Sequence, residues 1–111
     1  MILELIGVNG QLEVNEDSII IKRKGILSKM TQGLTKGSKT IFINQIVAVQ
    51  LKEGGSFANG YIQFTLPGVN EKLKGLRDAV HDENSIVIKK ANNSDAIKIK
   101  KYIEKIIRIK R

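Results

Sequence analysis

The sequence predicts an α+β fold: about six or seven short antiparallel strands that meander into a sheet closing, or nearly closing, on itself, capped by one C-terminal helix. Three observations predict it. Period-two alternation of apolar and polar residues recurs along most of the chain to about residue 90. The breaks between the alternating runs carry turn chemistry, and the period changes to a helical one from Asp95 onward. A chain of 111 residues fits one domain with a single core, so residues 1–111 are expected to form one unit, with strands over about 2–90 and the helix over about 94–110.

Leu12 and Val14 alternate with Glu13 and Asn15, and Ile19 and Ile21 with Ile20 and Lys22. Ile41 and Ile43 flank Phe42, while Val47, Val49 and Leu51 alternate with Ala48, Gln50 and Lys52. YIQFTL (61–66) sets Ile62, Phe64 and Leu66 on one face, and SIVIKK (85–90) sets Ile86 and Ile88 on one face. Asn9-Gly10, Glu16-Asp17, Gly54-Gly55, Asn59-Gly60 and Pro67-Gly68 supply the turns, so hairpins are the economical connection. VNEDSIIIKRK (14–24) and VHDENSIVIKK (80–90) resemble each other, but their neighbouring segments differ, which reads as two similar strands rather than a duplication.

The C-terminal segment places Ala96, Ile99, Ile103, Ile106 and Lys110 at spacings of three and four, widened by Tyr102 and Ile107. Asn92, Asn93 or Ser94 can cap its start, with Asp95 in the first turn and Arg108, Lys110 and Arg111 in the last, as the helix dipole prefers. A helix of about 16 residues is about 24 Å long, enough to cover one end of a small barrel.

Hydrophobic residues make up 41% and charged residues 27%, with one proline, a globular profile without linkers. The longest aliphatic runs, Ile19 to Ile21 and Ile46 to Val49, fall far short of the roughly 18 apolar residues of a membrane span. MILELIGVNG lacks the basic start of a secretory signal and the chain contains no cysteine, so a cytoplasmic location is expected. The net charge of +8, from 19 basic and 11 acidic residues, suits an anionic partner and equally suits solubility.

GLTKGSKT (33–40) lies one substitution from a phosphate-binding P-loop, with Ser38 in place of the second glycine. That motif requires a following helix whose N-terminus faces the anion, and TIFINQIVAVQL predicts a strand instead. No nucleotide is expected. The segment Gly25 to Lys39 is predicted to be a long basic lip, bracketed by Lys22, Arg23 and Lys24 on one side and Lys29, Lys36 and Lys39 on the other. Such a lip can grip phosphates or simply keep an exposed loop soluble.

GQLEVNEDSIIIKRKG (10–25), KTIFINQIVAVQLKEGG (39–55), NGYIQFTLPG (59–68) and DENSIVIKK with the terminal helix together resemble the bacterial pleckstrin-homology-like domain of unknown function often found near a short C-terminal helical domain. The resemblance spans nearly the whole chain and rests on the set: strand order, the GYIQF box, the acidic DEN turn and the closing helix. It implies a pleckstrin-like barrel capped by the C-terminal helix, and it implies little about activity, since such a scaffold serves lipid, peptide or protein binding. Phosphoinositide-binding relatives carry basic residues in their first loop between strands. Asn15-Glu16-Asp17 is acidic here, which argues against headgroup recognition at that turn.

Catalysis is not expected. The sequence has no cysteine or tryptophan and one histidine, His81, beside Asp82 and Glu83 in what reads as a solvated turn. Its spacing to carboxylates matches no zinc or calcium site, so neither metal nor cofactor is expected. Protein partnership or self-assembly is the leading reading, with Phe57 in GGSFANG as a candidate anchor; the alternative for Phe57 is that it tucks back onto the barrel end. The alternative is an anionic surface, nucleic acid or membrane. Nine of the 19 basic residues lie in 89–111, with Lys98, Lys101, Lys105 and Arg108 on a helix face away from the isoleucines.

Overall fold

The computed structural model describes residues 1–24, 35–68 and 83–110. Seven strands and one helix follow in order: β1 (Leu3–Ile6), β2 (Gly10–Val14), β3 (Ser18–Lys24), β4 (Thr35–Phe42), β5 (Ala48–Lys52), β6 (Gly60–Thr65), β7 (Ser85–Ile88) and α1 (Asn93–Lys110). Short 3-10 turns, Ile43–Gln45 and Lys90–Asn92, join β4 to β5 and lead into α1.

The strands form two separate antiparallel sheets, ordered β1-β2-β3-β4 and β5-β6-β7, rather than one closed barrel. In the first sheet, Leu3, Val14, Ile19 and Ile41 stand side by side in register, and Leu5, Leu12 and Ile21 form the next inward row. In the second, Leu51, Ile62 and Ile86 form the corresponding row. Side chains from both rows, together with Ala96, Ile99 and Ile103, make one continuous core cluster. Period two in the strands and 3.6 in the helix deliver these residues to it.

Local hydrogen bonds join the two sheets. The Val8 amide donates to the Val87 carbonyl at 2.8 Å, and the Asn9 side-chain oxygen accepts from the Val87 amide at 2.9 Å. One edge of the second sheet thus meets the β1–β2 turn instead of water. Every residue of β6 and β7 is buried, so these strands lose the one-sided exposure that alternation predicted. On their other face Tyr61 and Val87 pack with Val8 in a small satellite cluster.

Helix α1 rests on β1, β5 and the Ile43–Gln45 turn. Ala96, Ile99 and Ile103 are fully buried, Ile106 and Ile107 pack at their margin, and the Tyr102 hydroxyl donates to the Glu16 carbonyl at 3.2 Å. Of the stripe read from the sequence, Ala96, Ile99 and Ile103 are buried, Tyr102, Ile106 and Ile107 are half-buried, and the side chain of Lys110 lies outside those described.

The structure corrects three boundaries. β4 begins at Thr35, so Lys36 and Lys39 belong to a strand and the predicted 25–39 lip is shorter; residues 25–34 lie outside the described residues. Ile43 belongs to a 3-10 turn rather than a strand, and the strand predicted to Lys90 ends at Ile88. Phe42 is 52% exposed because it lies on the outward side of β4 beside buried Ile41. The similar segments at 14–24 and 80–90 contribute an inner strand of one sheet and an edge strand of the other.

Candidate functional site

Three regions gather the residues singled out above: the end of the β3–β4 hairpin, the β5–β6 turn, and the outward face of α1.

On the β3–β4 hairpin the cations are drawn into the fold. Lys39 stands in register with Ile21, on the inward row of the sheet, with its side chain 37% exposed. Its Nζ donates to Glu83 Oε1 and to Asn84 Oδ1, both at 2.8 Å, tying β4 to the entry of β7. The hydrogen bond and the charge of Lys39, with a smaller contribution from Arg23, hold the Glu83 carboxyl below its ordinary range. Lys22 faces outward and pairs with Glu13 on the neighbouring strand. Arg23, Lys39 and Glu83 share a shallow cavity of about 230 Å³ with Ile21, Gly37 and Ser38. A carboxylate on that wall opposes an anionic ligand. Lys24 and Lys36 are described by their backbones only, at the end of β3 and near the start of β4, and Lys29 lies outside the described residues. The GLTKGSKT stretch therefore forms strand from Thr35 onward, followed by a 3-10 turn and not by a helix that would face a phosphate.

The β5–β6 turn is built differently. Gly54 and Gly60 let backbones meet: a Cβ on Gly60 would fall 1.9 Å from the Lys52 carbonyl oxygen, and one on Gly54 would fall 2.6 Å from the Lys89–Lys90 peptide. Asn93, the first residue of α1, clasps Gly54 from both sides. Its Oδ1 accepts from the Gly54 amide at 2.8 Å and its Nδ2 donates to the Gly54 carbonyl at 2.9 Å. The Gly55 amide closes the tip onto the Ala58 carbonyl at 2.7 Å. Phe57 stands on this clasped base at 103% exposure, against 1% for Phe64 in the core on β6. It does not fold back onto the sheet.

On α1, Lys98, Lys101, Lys105 and Arg108 are all exposed. At 100° per residue they fall within an arc of about 80° opposite Ala96, Ile99 and Ile103. None takes part in an ion pair among the described residues, whereas Lys100, on the flank, pairs with Glu104 at 2.8 Å. The row carries no acid.

Among the described residues no cluster of three or more His, Asp or Glu that could hold a metal is present, and His81 lies outside them. No helix among the described residues is long and apolar enough to cross a membrane.

Sequence reasoning missed the Lys39–Glu83–Asn84 link and the Asn93–Gly54 clasp. Their partners are 39 to 45 residues apart, and neither has a local signature.

With the geometry set out, residues 12–104 match the family described as Domain of unknown function (DUF4429). The chain belongs to this family. No curated protein and no solved structure matches it. The DUF4429 match begins in β2 and ends inside α1, so it takes in the β5–β6 turn, the clasp and the first half of the basic row.

Proposed function

We propose that this DUF4429 chain is a non-catalytic, pleckstrin-homology-like binding module of the cytoplasm that engages a protein partner, or a second copy of itself, through Phe57. The observation that carries this reading is a fully exposed phenylalanine on a turn clasped by Asn93 and closed by its own backbone. A large apolar side chain held out on a rigid base loses little conformational freedom on binding, and buried aromatics dominate interface energetics. The pleckstrin-like part of the reading is supported by the order of seven antiparallel strands followed by one helix that covers core residues. The non-catalytic part is supported by the scarcity of titratable groups able to act together, with no cysteine and a single histidine in the chain.

Capture from nuclease-treated host lysate, with sedimentation of the purified protein alongside, tests the reading. A discrete protein, or a concentration-dependent dimer, is expected with the wild type and lost with Phe57→Ala. Unchanged capture and unchanged sedimentation with Phe57→Ala would remove Phe57 as the anchor.

A further inference from the structure

We infer that the outward face of α1 is a docking surface for an anionic lipid bilayer, independent of the Phe57 contact. Lys98, Lys101, Lys105 and Arg108 form one row about 15 Å long at 1.5 Å per residue. All four are exposed and meet no carboxylate among the described residues. The helix cannot turn this row away, because Ala96, Ile99 and Ile103 are fully buried on its opposite side. Four like charges thus share one exposed helix face, with Asp95 and Glu104 on its flanks, and their summed field attracts an anionic surface.

What selects a bilayer over a nucleic acid is the apolar neighbour of the row. Ile109 is 71% exposed, directly after Arg108 and one turn beyond Lys105. An isoleucine gains nothing against phosphates and sugars, whereas at a headgroup boundary it can enter the acyl region while lysine stems lie along it. No aromatic side chain lies in the cationic row, so bases would find no stacking platform there. Each cation at an anionic leaflet favours binding by roughly fivefold, so four together amount to several hundredfold, and the interaction falls with salt as the Debye length shrinks. The surface is distinct from the acidic Asn15-Glu16-Asp17 turn, which would repel the same leaflet.

The test is co-sedimentation of the whole chain with vesicles of phosphatidylcholine containing about one quarter phosphatidylglycerol, against phosphatidylcholine alone. Binding to the anionic vesicles only, reversed by raised salt, is expected. Lys98→Glu with Lys101→Glu should weaken it at least about tenfold, and Ile109→Ser by a smaller factor. A variant with equal charge change elsewhere, Lys52→Glu with Lys90→Glu, should bind like wild type, and so should Phe57→Ala. Absence of binding to the anionic vesicles overturns the inference. So does equal weakening by the Lys52/Lys90 variant, which would assign the effect to net charge. A random DNA duplex that displaces the protein from vesicles at equal phosphate concentration would assign the row to nucleic acid and likewise overturn it. Should the Lys98/Lys101 variant lose its circular dichroism signal, the milder Lys101→Gln with Lys105→Gln decides. Because the Phe57 variant is scored in both experiments, failure of the bilayer surface and failure of the protein anchor give different patterns.

Discussion

Lys22 and Lys39 on the four-stranded sheet each meet a carboxylate, Glu13 and Glu83, while Lys98, Lys101, Lys105 and Arg108 on the helix meet solvent. In the sequence the two groups look alike, as lysines and arginines at regular spacing beside isoleucines. The difference arises from what stands opposite. The strand cations are neighbours of other strands, and Lys39 has Glu83 and Asn84 within hydrogen-bond distance. The helix cations lie on the side of α1 that no described element covers. Lys22 and Lys39 are paired with carboxylates, and the four helix cations are left unpaired among the described residues.

Helix α1 is held chiefly by its inner face, with the Asn93 clasp and the Tyr102 hydroxyl as lesser ties, and the largest effect should come from that face. Ile103→Ala removes a fully buried side chain from the core and is expected to cost about 2–5 kcal/mol in urea unfolding. A cost below about 1 kcal/mol would mean that the helix contributes little to the core. Next in size is Asn93→Ala, which leaves the Gly54 amide and carbonyl without their side-chain partner. It should cost about 1–3 kcal/mol and raise hydrogen exchange at the β5–β6 turn.

Lys39→Ala should cost less, about 0.5–1 kcal/mol, because the ion pair with Glu83 is partly exposed. Its pH dependence has a definite sign. The Glu83 carboxyl is held low in the folded chain, so the pair is fully present above the ordinary carboxylate range and is lost as the pH falls through the lower folded value. The stability gap between wild type and Lys39→Ala should therefore close on acidification. A gap that stays constant down to strongly acidic pH would remove the ion pair as its cause.

Smallest of all, Lys101→Ala is expected to change stability by no more than about 0.5 kcal/mol, since the side chain pairs with nothing among the described residues. A larger loss would erase the distinction between the two basic regions.

Much of the fold was legible because its signals are local. Ala96, Ile99 and Ile103 lie at helical spacing and are the residues the helix buries, and Leu12, Val14, Ile19 and Ile21 alternate as their burial does. The turn residues at Asn59-Gly60 and Pro67-Gly68 mark true strand ends. Legibility failed where neighbours distant in sequence decide. Thr35 to Thr40, rich in glycine, serine and lysine, reads as loop, yet it is strand because β3 offers it a ladder. Tyr61, Gln63 and Thr65 alternate as an outward face and are nevertheless buried. Of the candidate site residues, Phe57 and the helix row stand exposed where their local pattern put them, while Lys39 was read as a free lip residue and is tied to Glu83.

By itself, then, the sequence determined most of the strands and the helix, which face of α1 enters the core and where most turns fall, because 2.0 and 3.6 residue periods and turn chemistry act over a few residues. Only the tertiary structure decided that the strands divide into two sheets, that Asn93 clasps the turn carrying Phe57, and that some cations are paired while others face outward. Those outcomes depend on contacts between residues up to 45 positions apart, whose meeting no local pattern records.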